Sequence, residues 1–254
     1  MPIFKAGAKL VYYAHVPKCA GSSVNWYLSE RFGDLAFSDR QHTRQPPQLR
    51  WSRSSPQHID RASLERLFPA HFFDAVFTIV RHPVSRIVSA FHFQLDVEQS
   101  IPAQTEFSDW LADIRDRLDE DPFAFDNHVR PMTEIVPDGA QIFHVEHGLD
   151  GLVAWFDALT GAADAPRAIP RMNEQGQYTG NKAPKVVPSA TDLQQIEALY
   201  AADFERFGYR IGDKSPLRPA PEISPTRIAE RDAALKAMNS PLGRVRRKFS
   251  KIGF

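Results

Sequence analysis

The chain has 254 residues, 43% of them hydrophobic and 24% charged, a globular balance that argues against disorder and leaves room for one large α/β domain or two small ones. Lysine plus arginine equals aspartate plus glutamate at 31 each, so the chain is no general binder of nucleic acid and any basic site must be local. The single Cys19 excludes an intramolecular disulfide, no apolar run is long enough to span a membrane, and "MPIFKAGAKL" lacks the features of a signal peptide. A soluble protein of the cytoplasm is the expectation.

In chain order, "LVYYAHV" from Leu10 to Val16 is aromatic and β-branched and predicts a buried strand. The loop "PKCAGSS" follows. Val24, Tyr27, Leu28 and Phe32 then recur at helical spacing, with Ser22 or Ser23 placed to cap that helix. Residues 40–56 are rich in Arg, Gln, Pro and Ser and read as irregular. "AVFTIV", Ala75 to Val80, predicts a second buried strand that runs into Arg81-His82-Pro83. Pro83 suits the first turn of a helix whose apolar face is Val84, Ile87, Val88, Phe91 and Leu95. Phe107, Trp110, Leu111, Ile114 and Leu118 mark another helix. "QIFHVE", Gln141 to Glu146, predicts a third strand, and "LVAWFDALT" a helix stopped by Gly161. Residues 166–188 lack periodicity. Leu193 to Phe207 reads as one late helix closed by Gly208. Alternating strands and helices imply an α/β fold with a short parallel sheet covered on both faces. The expected division is a domain over 1–212 and a C-terminal extension over 213–254, weakly helical with a basic tail.

A small-residue loop entering a helix aims backbone N–H groups at one point, where the helix dipole favours phosphate or sulfate. Gly21 permits close approach, Ser22 and Ser23 add hydroxyls, and Lys18 supplies a full charge. A nucleoside-triphosphatase loop would carry its lysine after the glycine and would need a metal-binding acid after the second strand. Here Lys18 precedes Gly21 and the strand ends in Arg81. The plain alternative is a tight strand–helix turn with solvated serines. A phosphatase reading of Cys19 fails, because C-x5-R would need arginine where Asn25 stands. In "RHPVSRIVSAF", Arg81 lies at the carboxyl end of a strand, and Ser85 and Ser89 share a helix face; with Arg86 nearby they form a second candidate anion site. A structural ion pair for Arg81 is the alternative.

Together "PKCAGSS" and "RHPVSRIVS" resemble, in order, the two cofactor motifs of the sulfotransferases that use 3′-phosphoadenosine 5′-phosphosulfate (PAPS), especially the carbohydrate branch acting on heparan 2-O and chondroitin-type positions. "NHVRPM" from Asn127, the strand ending at Glu146 and "LYAADFERFGY" from Leu199 are weaker likenesses, and the resemblance covers roughly residues 9 to 211. His82 and Met132 depart from that family's usual residues. The resemblance implies a P-loop-like three-layer fold and transfer of a sulfuryl group from PAPS to a carbohydrate hydroxyl, without a metal. It further implies that Lys18 contacts the bridging oxygen, that the N–H groups of Ala20, Gly21, Ser22 and Ser23 hold the 5′-phosphate, and that Arg81 and Ser89 hold the 3′-phosphate.

The acceptor hydroxyl needs a base, and histidine suits that task near neutral pH. The resembled branch places its base before the second strand, which makes His58 in "SPQHID" the first candidate and His71 the second. His144 and His147 are three apart on a predicted strand, face opposite sides there, and make a poor metal pair. Arg44, Arg50, Trp51, Arg53, Arg171, Tyr178, Lys182 and Lys185 are candidates for contacting an anionic glycan or the cofactor. The basic tail, Arg244, Arg246, Arg247, Lys248 and Lys251, could touch an anionic surface or be a solvated end. Two other readings stay open: a P-loop kinase or nucleotide-binding protein, and a glycan-binding module without catalysis.

Overall fold

A computed structural model describes residues 2–39, 41–172, 186–241 and 243. The basic residues expected to matter at Lys182 and Lys185, Tyr178 and the tail from Arg244 to Lys251 lie outside the described residues. The molecule is α/β. Four strands, β1 (Ile3–Ala6), β2 (Lys9–Ala14), β3 (Ala75–Val80) and β4 (Gln141–His144), stand in the sheet in that order. β2, β3 and β4 are parallel, with Tyr13 beside Phe77 and Phe77 beside Gln141, as the alternating pattern implies. β1 is an addition. It pairs antiparallel with β2 through a two-residue turn in which Gly7 takes φ 61°, the positive angle a tight hairpin requires. The only sequence signal for it is the short I-F-K-A run ahead of that glycine.

Period-2 alternation divides β2 between two faces. Tyr13 stacks on Phe77 at 4.8 Å and joins the larger core with Val24, Tyr27 and Leu28 of helix α1 (Gly21–Phe32) and Leu152, Val153 and Phe156 of helix α5 (Asp150–Thr160). Tyr12 and Ala14 face the other way, onto Ile59 and Leu64, the latter from helix α2 (Arg61–Leu67). The sheet is therefore the middle of three layers.

Helix α3 (Pro83–His92) begins at Pro83 as expected. It passes into a π-helix over Phe93–Glu98, which the sequence pattern read as plain helix through Leu95. Helix α4 is Phe107–Glu120. The predicted late helix is two: α6 (Ala190–Leu199), opened by a Ser189–Asp192 capping box, and α7 (Ala201–Phe207), split at Tyr200, whose φ is −112°. Tyr200 donates its buried hydroxyl to Val129 O at 2.6 Å, and this tertiary bond outweighs helix continuity. Gly161 and Gly208 close α5 and α7 in the left-handed conformation.

Helix α8 (Pro225–Asn239) carries the extension back onto the body. Arg227 and Arg231 pair with Asp150 of α5 at 3.7 and 2.9 Å, and Glu230 pairs with Arg167 at 2.7 Å. No helix among the described residues is long and apolar enough to cross a membrane.

Candidate active site

The carboxyl ends of β2, β3 and β4 define one rim, where parallel sheets leave room for ligands. From β2 the chain enters a turn in which Lys18 (φ 67°) and Ala20 (φ 61°) are both left-handed. Ala20, not a serine, is the N-cap of α1, and no side chain caps the helix. Ser22 and Ser23 instead lie in the first turn, because the helix starts at Gly21. The first intrahelical bond is Val24 N–H to Ala20 O at 3.1 Å, so the N–H groups of Gly21, Ser22 and Ser23 have no acceptor within the helix. Gly21 is required by close approach. A Cβ there would lie 1.8 Å from His15 Nε2. Ser22 is exposed, whereas the buried Ser23 accepts the N–H of Met172 at 3.0 Å.

Lys18 Nζ sits 3.7 Å over the ring of Phe93, the first residue of the π-helix. Burial, and after it the nearby Arg81 charge, lowers its pKa to about 8. Arg81 Nη1 donates to Lys18 O at 3.4 Å, so the guanidinium reaches back from β3 to the glycine loop, and no carboxylate among the described residues pairs with it. Ser85 and Ser89 are both partly exposed on α3. Cys19 is fully buried, and burial pushes its thiol up to about 12, which removes any thiolate chemistry at neutral pH.

Arg86 corrects an expectation. It is 1% exposed and so is not available to a ligand. Its Nε donates to Pro17 O at 3.2 Å, and its Nη2 to His128 O at 3.1 Å and Asn127 O at 3.4 Å. One side chain thus ties the start of the glycine loop to a distant turn.

That turn brings up the second half of the site. Phe125, Asp126 and Asn127 have φ of 53°, 54° and 62°, three left-handed residues in a row. Such angles cost about 1–2 kcal/mol for a residue with a Cβ, less for Asp and Asn. Ser55 N–H donates to Asp126 Oδ1 at 2.6 Å; Ser55 Oγ and His58 Nδ1 both reach Asp126 Oδ2 at 2.7 Å. Asn127 Nδ2 donates to His58 O at 2.7 Å. The His58 ring meets those of His128 and His15 edge-on, at 4.9 and 5.0 Å. Phe93 stacks on His128 at 4.9 Å. The cluster is therefore continuous with Lys18 through Phe93 and with Gly21 through His15.

Electrostatics separate these groups. Burial alone would raise the Asp126 carboxyl; the charge and hydrogen bond of His58, with His128 and Ser55, outweigh it and hold the group well below the usual carboxylate range. Burial, then the charges of His58 and Lys18, lowers His128. Burial, then His58, lowers His15. Two of the three imidazoles are thus kept neutral. His58, Asp126 and His128 also bring three possible ligand atoms within 4.8 Å, a spacing a small cation could bridge, although here the His58–Asp126 pair is a hydrogen bond.

Residues 2–210 match the model of the Sulfotransferase family. The chain belongs to the sulfotransferase family. No curated protein and no solved structure matches it.

In this sulfotransferase the residues read from the sequence divide clearly. Lys18, Ala20, Gly21, Ser22, Ser23 and Arg81 gather at the rim, and His58 joins them from the crossover between β2 and β3. Ser89 follows on α3. His71 is exposed and precedes β3, whose start lies beside Leu10 at the opposite edge of the sheet, about 20 Å away along six residues. His82 is buried; its N–H donates to Glu146 Oε1 at 2.8 Å and its Nε2 bonds Arg210 O at 2.9 Å. Tyr209 donates its hydroxyl to Glu146 Oε2 at 2.9 Å, so Glu146 braces the turn that carries Arg81. His144 and His147 lie closer than expected, with ring centres 5.2 Å apart, because β4 ends at His144 and a 3-10 turn over Val145–His147 brings the second ring round. His144 Nε2 is bonded to Phe207 O at 2.9 Å. Of the loop cations, Arg50 serves the carbonyls of Gln45 and Thr43, and Arg53 pairs with Asp121 at 2.6 Å. Arg44 and Trp51 are exposed. Sequence reading missed Asp126, Ser55, Phe93 and the clamping role of Arg86. Only the left-handed turn joins Asp126 to His58, 68 positions away, and nothing in the local pattern marks such a turn.

Proposed function

We propose that this sulfotransferase moves a sulfuryl group from PAPS to a hydroxyl of a carbohydrate acceptor. The observation that carries the reading is the meeting, at one rim, of an uncapped helix N-terminus, Lys18, Arg81 and the His58–Asp126 pair. The N–H groups of the first helical turn at Gly21, Ser22 and Ser23, with that of Ala20, receive the 5′-phosphate. Arg81 and Ser89 receive the 3′-phosphate. Lys18 neutralises the charge that grows on the bridging oxygen as the S–O bond breaks. His58 takes the acceptor's proton. The exposed Trp51 and Phe37, with Arg44, lie on the segment that leads to His58 and offer a sugar both a flat face and a charge. A glycan acceptor accords with the carbohydrate branch that the paired motifs resemble. Residues 1–212 form the catalytic domain in this reading and 213–254 its extension. The buried, lone Cys19 suits a reducing cytoplasm.

Calorimetry tests the donor. The chain is expected to bind 3′,5′-diphosphoadenosine without added metal and to leave ATP with magnesium unbound. Replacing either Lys18 or Arg81 by Ala should weaken that binding at least tenfold. Binding of ATP with magnesium alone would replace this reading with that of a kinase.

A further inference from the structure

We propose that Asp126 is a positioning residue that fixes the tautomer of His58, holding Nδ1–H so that Nε2 is bare and turned to the acceptor. This rests on the reading of His58 as the base.

Three observations converge. First, both oxygens of the Asp126 carboxylate are engaged. Oδ1 takes the Ser55 N–H; Oδ2 takes the Ser55 hydroxyl and the His58 ring. A carboxylate held ionised and already accepting the Ser55 N–H and hydroxyl can only accept from its remaining neighbour, so His58 Nδ1 carries the hydrogen between them. Second, the carboxylate is rigidly placed. The left-handed run Phe125–Asn127 would relax if free, but Arg86 grips the carbonyls of Asn127 and His128, and Asn127 grips the carbonyl of His58. The clamp locks both partners of the pair to each other and to Pro17 at the start of the glycine loop. Backbone strain held in place by such cross-ties belongs with pre-organisation of a site. Third, the neighbouring titratable groups cannot substitute for Asp126. His128 spends its Nδ1–H on Phe125 O at 2.7 Å, His15 packs against Gly21, and Lys18 lies across Phe93. Asp126 is the carboxylate that faces His58 among the described residues.

The transfer then balances. The acceptor oxygen forms a bond to sulfur as the bond from sulfur to the bridging oxygen of PAPS breaks. The acceptor's proton passes to His58 Nε2, and the electron pair of the broken bond stays on the 5′-phosphate of 3′,5′-diphosphoadenosine. The imidazolium formed is flanked by Asp126, which remains an anion throughout.

Asp126→Asn presents an amide that can turn its N–H toward His58 and impose the opposite tautomer. The expected result is a fall in kcat of about a hundredfold or more, with the affinity for 3′,5′-diphosphoadenosine changed less than twofold and KM for acceptor less than threefold. Asp126→Glu should recover part of the rate. In the wild-type protein, 15N NMR of labelled histidine should show one ring, absent from His58→Ala, protonated at Nδ1 with a downfield, slowly exchanging N–H. That measurement needs no folded Asp126 variant. A His58 ring protonated at Nε2, or an Asp126→Asn enzyme with wild-type kcat, overturns the inference while leaving His58 as base. A fully active His58→Ala enzyme overturns the base itself, and failure of wild type to bind 3′,5′-diphosphoadenosine overturns the donor.

Discussion

At the scale of single residues, Lys18 behaves unlike a surface lysine. Burial, with Arg81 beside it, lowers its pKa to about 8, and its ammonium lies over Phe93. An incoming 5′-phosphate favours the ammonium form, so binding of 3′,5′-diphosphoadenosine should take up a proton around pH 8. Below that pH the ammonium is already present and affinity should level off. Above it, affinity should fall by up to tenfold per pH unit. Calorimetry in two buffers of unlike ionisation enthalpy measures the uptake. Lys18→Arg, which stays charged, should flatten the profile whatever it does to the absolute affinity. That Lys18 and Arg81 would lie at the rim was legible in the sequence because each stands in a short motif; His58 was singled out only by its place between the two motifs. Arg86 sits in the same motif, yet its role was not legible. Whether an arginine at that spacing faces a ligand or buries itself on carbonyls depends on which face of α3 meets the core.

At the scale of elements, the strand–loop–helix unit from β2 to α1 was readable down to its glycine, but the physical reason for that glycine was not. Sequence reasoning assigns Gly21 to the approach of a phosphate. The structure shows that His15 occupies the space a side chain would need. Gly21→Ala should therefore destabilise the fold by about 1–3 kcal/mol through overpacking, and should also push His15 toward His58. A lowered urea midpoint together with reduced turnover is the expected outcome; unchanged turnover would show that His15 moves elsewhere. The hairpin strand β1, the π-helix and the break at Tyr200 were missed. The π-helix and the break depend on partners far along the chain, Lys18 and His128 for Phe93 and Val129 for Tyr200, while β1 depends on pairing edge to edge with β2 across a tight turn. Tertiary contacts override local periodicity at those points.

At the scale of the whole molecule, a chain with no net charge buries several ionisable groups around one rim, and its acid stability follows. His15 and His128 are held neutral by burial, while an unfolded chain would protonate both near pH 6.5. Their folded pKa values are lowered, so the stability they confer is present above that pH and is lost as pH falls below it. Asp126 adds to the loss further down, below about pH 4, where the unfolded carboxyl takes a proton that the folded one resists. Urea unfolding should give a midpoint that drops from pH 6.5 to 5, with His128 contributing on the order of 2 kcal/mol at pH 5 and His15 acting in the same direction. His128→Asn should shrink that drop; an unchanged pH dependence in this variant would show that His128 is not the neutral buried group described.

The family, the α/β class, the three parallel strands and the two short motifs are readable from the order of residues alone, because those signals are local: runs of β-branched residues, helical spacing, and short loops with a lysine and a glycine in fixed order. Which groups meet is set by the fold as a whole. Asp126 reaches His58 through a turn of left-handed residues held by Arg86, and no local stretch of chain carries that information, because the two stand 68 positions apart. Long-range pairing is set by how the layers close, and only the folded sheet brings the carboxyl ends of its strands, and the side chains on them, to a single rim.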